Sequence, residues 1–192
     1  MTQPLNVVAL SGSTFLPSRT LVLAQALIDG FADHLQIDSH LIHLGDIARI
    51  SGAAQSRREL TPEVEAQLQA IEAAELLIVA SPVYRGAIPG QLKHVLDLVG
   101  QDALIDTPVL LAASGGSDRH ALVIDHQLRP LFSFFQSLTL PIGVYATDAN
   151  FKDYRIDSVV LQDRIDLAVS RALPFFQAHR RAPQARPARI AA

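Results

Sequence analysis

The sequence predicts an α/β fold: a doubly wound, five-stranded parallel sheet in the order 2-1-3-4-5, with helices on both faces. Three observations predict it. The apolar runs at 5–10, 76–80 and 109–113 read as strands buried on both faces, as parallel strands are. Amphipathic stretches separate them, so strands and helices alternate along the chain. Each run ends in small or hydroxyl residues, Ser11-Gly12-Ser13, Ser81-Pro82 and Ser114-Gly115-Gly116. Right-handed crossovers leave few topologies, and ligands bind such sheets at the carboxyl ends of the strands, near the switch point.

The elements follow in order. After the first strand, Ser18 is the expected N-cap of a helix whose apolar positions are Leu21, Leu23, Ala24, Leu27, Ile28 and Phe31. Residues 37–44 alternate less cleanly and are assigned to an outer strand, and 45–60 to a long polar connection. Thr61 caps the next helix, with Pro62 at its first position and Glu63 and Glu65 in its first turn, and the helix runs to about 74. Strand 76–80 leads into a helix over 89–99, and strand 109–113 into a helix over 119–138. A fifth strand at 142–146 and a last helix over 158–179 complete the pattern.

The helix over 119–138 carries Pro130 in its interior. Proline removes one donor and crowds the carbonyl four residues back, that of His126, so a kink or a one-turn π-bulge is expected near 125–127. Phe132, Phe134, Phe135 and Leu138 spread around this helix rather than lying on one stripe. With Val95, Leu98 and Val99 they are expected to form an isologous dimer patch.

Composition bounds the function. A chain of 192 residues, 49% hydrophobic and 18% charged, suits a single domain, placed at 1–180, with a tail at 181–192 rich in Pro, Ala and Arg and expected to be disordered. The net charge of −3 lacks the basic surplus of a nucleic-acid binder. The absence of cysteine excludes disulfides, thiolate catalysis and Cys-based metal sites. Residues 1–6 carry no positive segment, and no apolar run approaches the ~20 residues of a membrane span. A cytoplasmic chain with no signal peptide and no membrane segment is expected. No histidine spacing suggests a metal site or a catalytic triad; His40 and His43, three apart on a strand, face opposite sides and are expected to be solvated.

The chemistry gathers in three turns that the topology brings to one sheet edge. Residues 11–20 hold five hydroxyls and Arg19 just ahead of a helix N-terminus, a composition suited to phosphate, although an ordinary capped βα turn would look similar. The spacing is neither Walker A nor the dinucleotide glycine fingerprint. Residues 81–90 offer two stiffening prolines and the flat face of Tyr84. Ser114-Gly115-Gly116 permits close backbone approach, or simply makes a turn. Together the three turns fit a mononucleotide with a flat ring.

These residues also carry a resemblance. Gly12-Ser13 with Pro17-Ser18-Arg19-Thr20, Ser81-Pro82-Val83-Tyr84-Arg85 with Pro89-Gly90-x-Leu92-Lys93, and Ser114-Gly115-Gly116 resemble the NAD(P)H-dependent FMN reductases of flavodoxin-like fold. The likeness is greatest to the reductase components of bacterial two-component alkanesulfonate and methanesulfonate monooxygenase systems, and it spans about residues 5–178. It implies that Ser11, Ser13, Ser18, Arg19 and Thr20 hold the FMN phosphate. It implies that the ring lies against Pro82, Val83, Tyr84 and Arg85, with Ser114, Gly115 and Gly116 nearby. Many members carry Arg two residues after the Gly-Ser serine; Phe15 stands there in this chain, which leaves Arg19 as the main cation.

The resemblance further implies a homodimer or homotetramer, FMN with NADH or NADPH as cofactors, and a partner monooxygenase that receives FMNH2. It implies a part for His126, at the expected π-bulge, in oligomerisation and flavin transfer. No catalytic side chain is needed, because the hydride passes between two cofactors. Arg57, Arg58, Arg85 and Arg119 are candidates for a 2′-phosphate contact, with NADH the expected nucleotide. The competing readings are a quinone, azo or chromate reductase with tightly held FMN, and a flavodoxin-type electron carrier, for which a charge of −3 is mild. A response-regulator receiver is set aside because the strand ends lack its acidic cluster and phospho-accepting Asp.

Overall fold

The computed structural model describes residues 3–181. Strands β1 (Leu5–Ser11), β2 (Ile37–His43), β3 (Leu76–Pro82) and β4 (Pro108–Gly115) run parallel in the order β2-β1-β3-β4, as expected. The fifth position is filled by two short segments rather than one strand. β5 (Leu138–Thr139) pairs with the start of β4 and β6 (Val144–Thr147) with its end. Pro141, which has no N–H to give a ladder, lies in the gap between them.

Alternation along each buried strand sends neighbours to opposite faces. Val7 and Ala9 join Leu23, Leu27 and Phe31 of α1 (Arg19–Ala32) and Ile165, Val169 and Phe176 of α6 (Val159–Arg181). Val8 and Leu10 join Leu68 and Ile71 of α3 (Pro62–Glu72) and Leu92 and Leu96 of α4 (Gly90–Asp97). Burial on both faces explains why these strands read as apolar runs and not as alternating ones. α1 begins as expected: the Leu21 amide donates to Ser18 Oγ at 3.1 Å. At α3, Pro62 is in the first turn, but the Thr61 side chain makes no capping bond.

The connection over 45–60 is not all loop. It contains α2 (Leu44–Ser51), whose Leu44, Ile47, Ala48 and Ser51 are buried at helical spacing, and a 3-10 turn at Arg57–Glu59. Arg57 clasps this turn to α3. Its Nε donates to Glu65 Oε2 at 2.9 Å and its Nη2 to Glu65 Oε1 at 2.8 Å and Glu72 Oε2 at 3.0 Å. Glu72 also receives the Gly100 amide at 2.7 Å. The Arg57 hydrogen bond, with that of Gln69, holds the Glu65 carboxyl below the usual range. The clasp therefore contributes stability above the ordinary glutamate pKa and loses it as acidification passes the lowered value. Arg57→Ala is expected to cost about 1–2 kcal/mol at neutral pH and nothing extra in acid, measured by thermal denaturation across pH.

Residues 119–138 depart most from a plain helix. A 3-10 turn at Asp118–His120 is followed by a π-helical turn at Ile124–Leu128 and then α5 (Arg129–Phe134). The Arg129 amide reaches back five residues to Ile124 O, so the extra residue in the turn accommodates Pro130, which has no N–H. α5 ends early, with Gln136 at φ +56°. The expected dimer patch is not exposed as such. Val95, Leu98, Val99, Phe132 and Phe135 are buried in the chain's own core, and only Phe134 and Leu138 face outward. The expectation for His43 is also corrected: it is 9% exposed, not solvated, because it passes straight from β2 into α2 between the core residues Ile42 and Leu44, while His40 is exposed. The tail expected over 181–192 lies outside the described residues save Arg181, which ends α6.

Candidate functional site

The carboxyl ends of β1, β3 and β4 meet in a cleft of about 290 Å³, lined by residues of all three turns. Ser13, Ser18, Arg19 and Thr20 come from the first turn, Pro82, Val83 and Tyr84 from the second, and Ser114, Gly115 and Gly116 from the third. Two of the expected residues are not on its wall. Ser11 is fully buried at the end of β1, its Oγ without a partner, and Arg85 is exposed at φ +54° in the turn beyond Tyr84.

The turns are joined, not merely adjacent. Thr20 Oγ1 and Ser114 Oγ share a hydrogen bond of 2.7 Å across 94 residues of chain, with both side chains buried. The Val83 amide donates to Ser114 O at 2.8 Å, tying the second turn to the third. Tyr84 and Ala87 exchange backbone hydrogen bonds of 2.9 and 3.2 Å around Arg85-Gly86, which holds Tyr84 at the rim, 42% exposed. From the π-helical turn, Gln127 Oε1 accepts from the Ile88 amide at 2.9 Å and Gln127 Nε2 donates to Gly86 O at 3.4 Å. The π-turn therefore touches the site through Gln127, while His126 points outward with its ring exposed.

Close packing leaves no room for a side chain at Gly115 while Tyr145 stays in place. A Cβ on Gly115 would stand 2.4 Å from Tyr145 Oη, which donates to Ser117 O at 2.7 Å. Burial, then the nearby charges of Asp118 and Asp148, push the Tyr145 phenol above its usual pKa, so it stays a donor. At Gly116 a Cβ would meet nothing within 4 Å, so the backbone there is open to the cleft.

Four wall residues were not among the expected site residues. Phe15, Pro17, Asp148 and Tyr154 also line the cleft. Phe15 is 72% exposed. Asp148 Oδ1 is 3.4 Å from Arg19 Nη1, and the Tyr154 ring lies 5.3 Å from the Arg19 guanidinium carbon. No local pattern announces the last two, because both arrive from beyond β6, well away from the turns in sequence.

The lining suits a phosphorylated flavin. The buried hydroxyls of Ser18 and Thr20 stand at the N-terminus of α1, and Arg19 Nε is buried without a hydrogen-bond partner. An anion would satisfy such donors. A parallel sheet in this order, with this cleft at the switch between β1 and β3, is a flavodoxin-like, mononucleotide-binding architecture. The chain belongs to the NADPH-dependent FMN reductase family, whose model matches residues 5–152. It is 68% identical to the NADH-dependent FMN reductase SfnF of Pseudomonas fluorescens (strain Pf0-1) over 93% of this chain and 96% of that protein. It is 61% identical to the FMN reductase (NADPH) of Pseudomonas aeruginosa over 92% of this chain and 95% of that one. Among solved structures it resembles an oxidoreductase from Corynebacterium diphtheriae, with a TM-score of 0.82 and 27% identity over 91% of this chain and 98% of that one. The chain is thus an NAD(P)H:FMN oxidoreductase. Among the described residues no helix is long and apolar enough to cross a membrane.

Proposed function

We propose that this chain reduces FMN as an exchangeable substrate, with NADH as the favoured donor, and passes FMNH2 to a partner monooxygenase acting on sulfonates in the cytoplasm. The observation that carries the reading is the Thr20–Ser114 hydrogen bond, which locks the phosphate-type turn to the glycine turn beside an incompletely partnered Arg19. When bound, FMN supplies the acceptor for a nicotinamide hydride. The chain binds and orients. Ser13, Ser18, Arg19 and Thr20 hold the phosphate, with Ser11 supporting the turn from behind. Pro82, Val83 and Tyr84 support the ring, Ser114, Gly115 and Gly116 offer close backbone approach, and Arg85 stands at the rim. No side chain serves as acid or base, because the hydride passes between the two cofactors.

For the nucleotide, the 68% identical relative is called NADH-dependent and the 61% identical one NADPH-dependent. Arg57 is committed to Glu65 and Glu72, which removes one candidate for a 2′-phosphate contact. The test is to follow NADH and NADPH oxidation with FMN, FAD and riboflavin; oxidation of neither nucleotide with any flavin would end the reading. Retention of yellow colour through purification would favour instead a quinone, azo or chromate reductase with a resident flavin.

The single domain at 1–180 acts as a homodimer or homotetramer in this reading. Leu122, His126, Pro130 and Phe134, spaced by four, are all exposed, with Leu122 and Phe134 about 60% so. A stripe of this kind along the π-turn and α5 suits a self-association face. His126→Ala is expected to reduce oligomer size in sedimentation and to slow flavin transfer; no change in either would remove His126 from this role.

A further inference from the structure

The cleft that receives the FMN phosphate also holds a carboxylate. Arg19 and Asp148 are the charged residues on its wall. Their contact is loose: 3.4 Å, with the Asp148 side chain 55% exposed and Arg19 Nε still unpartnered. Arg19 is steadied from a second side by the ring of Tyr154. Tyr154 sits at the tip of a hairpin between β7 (Phe151–Lys152) and β8 (Arg155–Ile156). Asp153 and Tyr154 there have φ of +48° and +56°, a turn whose first position suits Asp but whose second ordinarily takes Gly. A tyrosine held at positive φ on a ligand rim is the kind of feature a function maintains.

An anion site gains nothing in affinity from a neighbouring carboxylate, which repels the ligand and occupies its cation. We infer that Asp148 lowers FMN affinity by competing with the phosphate for Arg19, and so keeps FMN exchangeable. The inference rests on the FMN-substrate reading and assigns the residue that sets how readily the flavin leaves. For a reductase that hands its product on, faster dissociation is the useful direction, and affinity differences of this kind fall mainly on the off-rate. The backbone at Asp148 is held independently of its carboxylate, since the Thr147 amide donates to Asn150 Oδ1 at 2.7 Å. Asp148→Asn should therefore leave the turn in place.

The experiment measures FMN and riboflavin binding to the wild type, Asp148→Asn and Asp148→Glu by fluorescence quenching, with FMN dissociation by stopped flow. Asp148→Asn is expected to tighten FMN about fivefold and slow its release by a similar factor, with riboflavin unchanged. Asp148→Glu keeps the charge and is expected to keep the wild-type ratio of the two affinities. The inference is overturned if Asp148→Asn leaves that ratio unchanged, weakens FMN, or tightens both flavins alike, as a contact to the ribityl chain would. It is also overturned if Asp148→Glu behaves like Asp148→Asn. A wild type that binds riboflavin as tightly as FMN would instead remove the phosphate site itself.

Discussion

Arg19→Ala is expected to weaken FMN binding by about 1.5–3 kcal/mol, roughly 10- to 150-fold, while riboflavin binding stays close to that of the wild type. Arg19 is the cation on the cleft wall, and it begins α1, where the helix dipole already favours an anion. Phe15 occupies the place at which many relatives carry a second arginine, so no other side chain of the first turn replaces the lost charge. Titration with both flavins checks this directly. Equal loss for FMN and riboflavin would mean that Arg19 supports the turn rather than the phosphate, and unchanged FMN affinity would remove it from the site.

The second large effect is expected at Gly115. Alanine there places a methyl 2.4 Å from Tyr145 Oη and 3.4 Å from Val83 Cβ. The phenol must move, and its bond to Ser117 O is lost. Overpacking of this kind costs about 1–3 kcal/mol, and here it also disturbs the turn that faces the flavin. Gly115→Ala is therefore expected to lower the Tm and raise the FMN Kd. Because the clash falls on the hydroxyl, adding Tyr145→Phe should recover much of the lost stability, the ring carbon behind the hydroxyl being 3.5 Å from the new methyl. A double variant no more stable than Gly115→Ala would place the strain elsewhere.

Much of the site was legible because its signals are local. The hydroxyls of 11–20, the prolines around Tyr84 and the pair Gly115-Gly116 announce themselves in the chain, and the topology alone predicts that they meet. The π-turn was legible for the same reason, since Pro130 forbids a regular helix whatever surrounds it. α2 was missed although its signal is present: Leu44, Ile47, Ala48 and Ser51 have helical spacing, hidden by the glycines and charges around them. Gln127, Tyr145, Asp148 and Tyr154 carried no signal. Each acts on a turn from a different element, and a lone Gln, Tyr or Asp in a polar stretch looks like any other surface residue.

The sequence by itself determined the order of strands and helices, the parallel sheet and the turns that bear the chemistry. These follow from periodicity, capping and proline, which act within a few residues. Only the tertiary structure decided which apolar side chains close the core rather than an interface, as Val95, Leu98 and Phe135 do, and which charges meet at the cleft, as Arg19 and Asp148 do. Those outcomes depend on how the chain packs across long separations, where burial on a two-sided sheet and the path of the segment after β6 decide what each residue touches.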